Sequence, residues 1–449
     1  MQPHPAPNPQ IAPSARGEAQ RMSRLPRLPG DMLVRFPHGL AWGPADAPVK
    51  LTFSKWSSMA RLKTGHIGKL AAEYVEGSVQ LEGAMRDVMQ AMARLLPGNP
   101  IALTDPWWRH LVQRLHMLKA HTPANDSAQV QFHYDVSDAF YALWLDPRRV
   151  YSCAYYKDHS DTALPMTLAS AQEAKLDHIC RKLMLQPGDR FLDVGSGWGA
   201  LMLWAAEHYG VDATGITLSK NQHAYVQQLI TQKGLEGRVR VELRDYRDMP
   251  EGQPFDKIAS VGMFEHVGQV NMTAYFSKLM RLLAPGGLVM NHGITAGGLE
   301  NRQLGAGMGD FIEKYIFPGG ELLHVSAVVE HLARGGLELV DAENLRPHYA
   351  RTLWDWSNAL EARLVEASQL LARDGGSAHA EKTLRAYRLY LAGSAMSFEQ
   401  GWISLHQLLA TRPTGEVCST AVKGAQSVYP FNRDYMYRSQ QPEPATTFS

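Results

Sequence analysis

The sequence predicts a doubly wound α/β protein, with a mostly parallel seven-stranded sheet, a helical lid insertion and a small additional domain at its N-terminus. Three observations carry this. From Gly188 onward, apolar strand-like runs alternate with helical patterns. Within that region Arg190 to Gly199, RFLDVGSGWG, is an apolar run entering a glycine turn that opens a helix. Finally, 449 residues exceed the usual length of one domain, leaving room for a second, smaller one.

In chain order, residues 1–30 hold Pro3, Pro5, Pro7, Pro9, Pro13, Pro26 and Pro29, a composition that cannot bury a core and predicts a disordered leader. Residues 31–123 form the predicted small domain, with a strand at 49–53 and helical spacing over 78–96. Its last helix, 107–119, carries Trp108, Leu111, Val112, Leu115 and Leu118 on one face, which suits either a lipid interface or packing on its own domain. The larger domain spans 124–436 and opens with an aromatic run, 132–156, readable as a packed helical lid or as the wall of an apolar channel. Strands follow at 190–194, 211–216, 239–243, 257–261, 288–291, 337–342 and 403–410, with helices starting near Ala200, Asn221, Met272 and Ser326. A long helical insertion, 352–394, lies between the last two strands and would roof the carboxyl edge of the sheet. Residues 437–449 read as a disordered tail.

Composition narrows the function. Forty-five basic against 44 acidic side chains give a net charge of +1, which argues against binding driven by nucleic-acid phosphates. Cys153, Cys180 and Cys418 lie far apart, with no metal-type spacing and no disulfide framework, so a reducing compartment and no metal are expected. With neither a signal-peptide run nor ~20 consecutive apolar residues, the expected location is the cytoplasm.

In a doubly wound sheet, ligands bind outside the carboxyl ends of the strands at the switch point. Gly195, Gly197 and Ala200 satisfy a dinucleotide fingerprint, but the second strand ends in Thr217, Leu218 and Ser219 without the ribose-binding acid. That leaves the Rossmann-like S-adenosylmethionine-dependent methyltransferases. The Thr217 hydroxyl and Gln222 amide could bond a ribose or carboxylate, while Ser219 suits a helix N-cap. Glu265 and His266 follow the fourth strand directly, so the acid either salt-bridges structurally or handles protons and cations in the site. His292 lies just past the fifth predicted strand; taken alone, it and Cys153 read as buried core residues.

YSCAYY, LDVGSGWG, TLSKNQ, GMFEHVG, KYIFPGG, PHYARTLWDW and YRLYLAGSAMSFEQGWISLHQ, in this order, resemble the cyclopropane-fatty-acid synthases, which include the mycolic-acid cyclopropane synthases. The resemblance covers 132–410, and the longer N-terminal part resembles the branch that acts on phospholipids. It implies that S-adenosylmethionine is held by Tyr151, Ser152, Asp193, Gly195, Ser196, Gly197, Gly199, Thr217, Leu218, Gln222, Tyr246 and Arg247. Ser196 stands where relatives commonly have cysteine. Cys153, Glu265, His292, Ile294 and Tyr349 match the set that holds a bicarbonate ion. The implied activity is methylene transfer to the cis double bond of an unsaturated phospholipid acyl chain, through a carbocation deprotonated by bicarbonate. The implied setting is peripheral, on the cytoplasmic face of a membrane, with no nucleic acid and with a homodimer allowed. Alternatives are methyl branching of the acyl chain, N-methylation of a small amine, and a lipid-binding protein without activity.

Overall fold

The computed structural model describes residues 30–63, 66–96, 100–101, 137–157, 165–299, 304–305, 307–317, 320–413, 430 and 432–437. They belong to two compact units, divided between Pro97 and Gly98. The expected domain boundary at 123, the helix at 107–119, the leader and Cys418 lie outside the described residues.

The first unit is a four-stranded sheet in the order β2-β1-β3-β4, built from β1 (Met32–Arg35), β2 (Ala41–Trp42), β3 (Val49–Phe53) and β4 (Val79–Glu82). Three helices accompany it: α1 (Ser57–Lys63), α2 (Ile67–Val75) and α3 (Met85–Arg94). In β3, Val49, Leu51 and Phe53 are buried and alternate with half-buried residues, as a one-faced strand requires. The helical spacing expected over 78–96 resolves into a strand and a helix. The first residues pair with β3, and Gly83, at φ +128°, makes the bend between the two; a Cβ there would lie 2.5 Å from the Pro48 carbonyl oxygen.

The second unit holds a seven-stranded sheet in the order β10-β11-β9-β8-β5-β6-β7. Its strands are β5 (Arg190–Val194), β6 (Asp212–Thr217), β7 (Val239–Leu243), β8 (Phe255–Val261), β9 (Leu283–Ala296), β10 (Glu338–Asn344) and β11 (Ile403–Thr411). All neighbouring pairs from β7 to β9 are parallel, while β11 runs antiparallel to both β9 and β10. β9 is longer than the expected 288–291 for two reasons. Its APGG start bulges out of register with β8, and its far end is paired by β11 as far as Ala296.

The helices before and between the strands are α4 (Asp138–Trp144), α5 (Leu168–Lys182), α6 (Ala200–Tyr209), α7 (Lys220–Gln232), α8 (Met272–Leu282), α9 (Met308–Tyr315) and α10 (Val325–Arg334). On one face of the sheet Phe191 and Ala213 pack with Ile179, Met202 and Val226; on the other, Leu192, Val194 and Ile258 pack with Phe276, Leu279 and Leu332. Alternation along β5 therefore turns Asp193 to the Phe191 side, toward α5 and α6.

The insertion consists of α11 (Arg346–Glu361) and α12 (Leu364–Glu399), the latter kinked at Gly376. It starts before the expected residue 352 because Pro347 sits in the first turn, where its missing N–H costs no helical bond. Phe140, Tyr141 and Trp144 of α4 are buried against Trp356 and Tyr387 of these helices, with a 2.9 Å hydrogen bond between the Tyr141 and Tyr387 hydroxyls. Within the described part of the aromatic run, 138–144 is thus a packed helix, while 145–156 is loop. At the other end of the unit Met436 is fully buried, and the exposed Tyr437 has its ring 5.6 Å from that of His178; the rest of the expected tail lies outside the described residues.

Candidate active site

β5 is flanked by β6 on one side and β8 on the other, and this is the switch point of the sheet. The turn after β5 is built for glycine, since Gly195, Gly197 and Gly199 have φ of +76°, +55° and +81°. A Cβ on Gly199 would sit 2.9 Å from both methyl groups of Val226, whereas one on Gly197 would meet nothing within 4 Å beyond its chain neighbours. The N–H groups of Gly195 and Ser196 donate to the Ile216 carbonyl at 3.0 and 2.9 Å, and the Ser196 hydroxyl turns back to the same oxygen. Ser196 therefore ties the turn to β6.

After β6, the Thr217 hydroxyl donates to Gln222 Oε1 at 2.8 Å, Ser219 caps α7, and Leu218 is half-buried between them. Gln222 is buried, and its Nε2 has no partner. After β7, Asp245 accepts from the backbone and guanidinium of Arg247, and the Tyr246 ring meets Tyr275 edge-on at 5.3 Å. At the end of β8 the buried Ser260 hydroxyl lacks a partner. Open space over a glycine turn and two unspent buried polar groups suit a nucleoside with an amino-acid tail, so the residues fit S-adenosylmethionine.

The 150–153 loop is fastened from beneath. Asp146 accepts from the Arg148 and Val150 N–H groups at 3.0 and 2.8 Å. Gln172, on α5, donates to the Ser152 carbonyl at 2.9 Å, and Lys175, one turn later, donates to Ser152 Oγ at 3.0 Å. The Tyr151 hydroxyl donates to that of Tyr390 at 3.1 Å. Burial holds Lys175 down to about 8 and lifts Asp193, 2% exposed, to about 7. The Cys153 thiol is fully buried and donates to the Ala154 carbonyl; burial raises its pKa far above the ordinary thiol range, so it stays un-ionised.

Glu265 follows β8 in a short helical turn, Phe264–His266. Its Oε1 accepts from Ile294 N–H on β9 at 2.7 Å, while Oε2 is buried without a partner. It makes no salt bridge among the described residues, and burial raises its pKa to about 7. Of the two roles open to it in the sequence, the structural ion pair is absent. Tyr349 lies in the first turn of α11, its ring against Trp356 and Phe398, within the electrostatic reach of Cys153, Glu265 and Tyr390. His292, on β9, is 1% exposed, and its Nδ1 pairs with Gln407 Nε2 at 3.1 Å. With the amide donating to Nδ1, the proton of the neutral ring sits on Nε2, which has no partner. Burial holds His292 well below the usual imidazole range and so neutral. His292 and Glu265 do not bond each other; each brings one unspent polar atom to the carboxyl edge.

Cys153, Tyr349, Glu265 and Ile294 are thus linked by contact or electrostatic reach, and Ser152 joins them through the loop it shares with Cys153. Arg247 is engaged by Asp245. Sequence reasoning missed Gln172, Lys175 and Gln407. The signal was there: Gln407 interrupts the apolar run of β11, and Gln172 and Lys175 occupy the buried face of α5.

The family model described as mycolic acid cyclopropane synthetase matches residues 121–408. The chain belongs to this family. Within the family it is similar to a probable fatty acid methyltransferase of Pseudomonas putida, 43% identical over 370 residues, which covers 82% of this chain and 86% of the relative. It is also similar to cyclopropane mycolic acid synthase 1 of Mycobacterium tuberculosis, 41% identical over 290 residues, covering 62% and 95% of the two chains. A mycolic acid cyclopropane synthase solved in complex with SAH and CTAB superposes with a TM-score of 0.57 at 40% identity, over 64% of this chain and 98% of the other. This member of the cyclopropane synthetase family is an S-adenosylmethionine-dependent methyltransferase with the Rossmann-like fold of that class.

Proposed function

We propose that the enzyme transfers a methylene from S-adenosylmethionine to the cis double bond of an unsaturated phospholipid acyl chain and closes a cyclopropane ring. The observation that carries this is Glu265: a buried carboxyl with one oxygen held by the Ile294 N–H and the other unspent, without a counter-cation. Amine methylation leaves no carbocation and needs no such group, whereas ring closure must remove a proton from the newly added carbon in a dry place.

When bound, S-adenosylmethionine supplies an electrophilic methyl group. Bicarbonate would supply the base, and the residues present fit a small oxyanion: Glu265 Oε2, the His292 Nε2–H and the Tyr349 hydroxyl, with the Cys153 and Ile294 backbone beside them. Gln407 keeps the imidazole in the donating tautomer. Glu265, ionising near 7, can hold or release a proton at Oε2. The rings of Tyr151, Tyr349, Trp356 and Tyr390 keep water out and offer π faces to a cation.

No described helix is long and apolar enough to cross a membrane, so the substrate would be reached from the membrane surface. Purified enzyme, incubated with S-adenosylmethionine and vesicles of unsaturated phosphatidylethanolamine, should yield acyl chains heavier by one methylene with the alkene gone. Heavier chains that keep an alkene would replace ring closure with methyl branching. Unchanged lipid beside tight cofactor binding would remove the phospholipid.

A further inference from the structure

Lys175 is a buried cation that makes no close ion pair with the described residues. It is 2% exposed, and among the described residues its ammonium makes one hydrogen bond, to Ser152 Oγ at 3.0 Å. Asp146 and Asp193 attract it only from beyond ion-pairing distance. Lys182, seven residues on along the same helix and equally buried, shows the contrast, with Glu343 at 2.5 Å. An ammonium carries three donors and is costly to bury without an anion. Among the described residues two donors of Lys175 have no protein partner, so they are available to an anionic ligand.

Position and orientation narrow the ligand. Lys175 lies beneath the 150–153 loop and on the face of β5 to which Asp193 turns, just before the glycine turn. Because Lys175 donates to Ser152 Oγ, the serine proton points elsewhere, and Gln172 fixes the Ser152 carbonyl. The loop thus offers one hydroxyl donor backed by one cation. We propose that Lys175 and Ser152 form the receptor for the carboxylate at the amino-acid end of S-adenosylmethionine, with Gln172 as a positioning residue. This rests on the assignment of the crevice to that cofactor.

The groups facing Lys175 are Asp146, Cys153, Asp193 and Cys180, with His292 also in reach; burial keeps both thiols and the imidazole neutral. Burial brings loss of the lysine charge near pH 8.

Titration calorimetry of the full chain at pH 7.5, with S-adenosylhomocysteine and with 5′-methylthioadenosine, which lacks the amino-acid end, tests the proposal. Lys175→Met should weaken S-adenosylhomocysteine at least about tenfold and leave methylthioadenosine within about twofold, which also shows that the variant is folded. Ser152→Ala, with the lysine retained, should lose about threefold to tenfold on the first ligand alone. The wild-type preference for S-adenosylhomocysteine should decline from pH 7.5 to 9.5 more steeply than that of Lys175→Met. Equal losses for both ligands, or none, overturn the proposal. So does a Lys175→Met variant that binds S-adenosylhomocysteine normally but needs more bicarbonate for turnover, because the lysine then serves that anion. Failure of the wild type to bind S-adenosylhomocysteine would instead remove the cofactor assignment itself.

Discussion

Glu265→Gln exchanges one oxygen for nitrogen where the carboxyl is 7% exposed and burial lifts its pKa from 4.5 to about 7. The folded protein holds a proton that the unfolded chain releases, so stability falls as pH rises from 4.5 to 7 and is level above. The difference of about 2.5 pH units corresponds to about 3 kcal/mol. Glutamine never ionises, and its Oε1 can keep the bond from Ile294 N–H, whose preference for the charged form is already contained in that difference. The variant should therefore be more stable than the wild type by about 3 kcal/mol at pH 8, melting about 4 °C higher, with no gain at pH 4.5. In the lipid assay it should lose about a hundredfold or more in turnover while binding S-adenosylhomocysteine normally. Melting curves and calorimetry at both pH values, beside acyl-chain mass spectrometry, read all three quantities. A variant that melts lower at pH 8, or whose offset is the same at both pH values, refutes the electrostatic argument; near-normal turnover refutes the role of the acid.

Tyr349→Phe keeps the ring against Phe398 and Trp356 and removes only the hydroxyl, so turnover should drop about tenfold to a hundredfold with cofactor affinity unchanged in calorimetry. Gln407→Leu releases His292 Nδ1, and the tautomer shift should appear in 15N NMR of the imidazole together with a fall in turnover. Gly199→Ala forces a Cβ into Val226 at φ +81°, with an expected loss of about 1–3 kcal/mol in urea unfolding and weaker S-adenosylhomocysteine binding. Glu343, which burial would raise, is pulled down to about 2 by the His178 hydrogen bond and Lys182, so its support is present above pH 4.5 and fades as pH falls toward 2. Glu343→Gln leaves fully buried Lys182 without that anion, which should cost about 3–5 kcal/mol at pH 7 in the same unfolding assay.

The sheet was legible because β5, buried on both faces, is an apolar run, while the edge strand β7 alternates buried Val239 and Val241 with Arg240 and Glu242; 190–194 and 239–243 match residue for residue. Boundaries slipped where pairing rather than composition sets them: β9 runs on because β11 covers it, and 78–96 contains a strand because β3 needs a partner. The crevice loops and Glu265 were legible because polar residues directly after apolar strands have nowhere else to go. Tyr349 was not, since nothing in its local pattern marks it; only the packing of the first turn of α11 brings it within reach of Cys153 and Glu265. Gln172, Lys175 and Gln407 act on other polar groups across the fold, through distances that one chain segment does not reveal.

The unspent atoms fall in a pattern that follows from the topology. Ser260 Oγ and Glu265 Oε2 lie at and just beyond the carboxyl end of β8, His292 Nε2 on β9 at the level where β8 ends, and Gln222 Nε2 in the first turn of the helix that follows β6. An insertion rich in aromatic rings covers the carboxyl edge, where a hydrated lid would instead satisfy the orphaned atoms with water and quench any carbocation formed beneath it. The same exclusion of water that lifts Glu265 to about 7 holds Lys175 down to about 8. Near neutral pH the acid is half-protonated and the lysine still charged, so one environment would suit both the proposed proton-handling group and the proposed anion receptor.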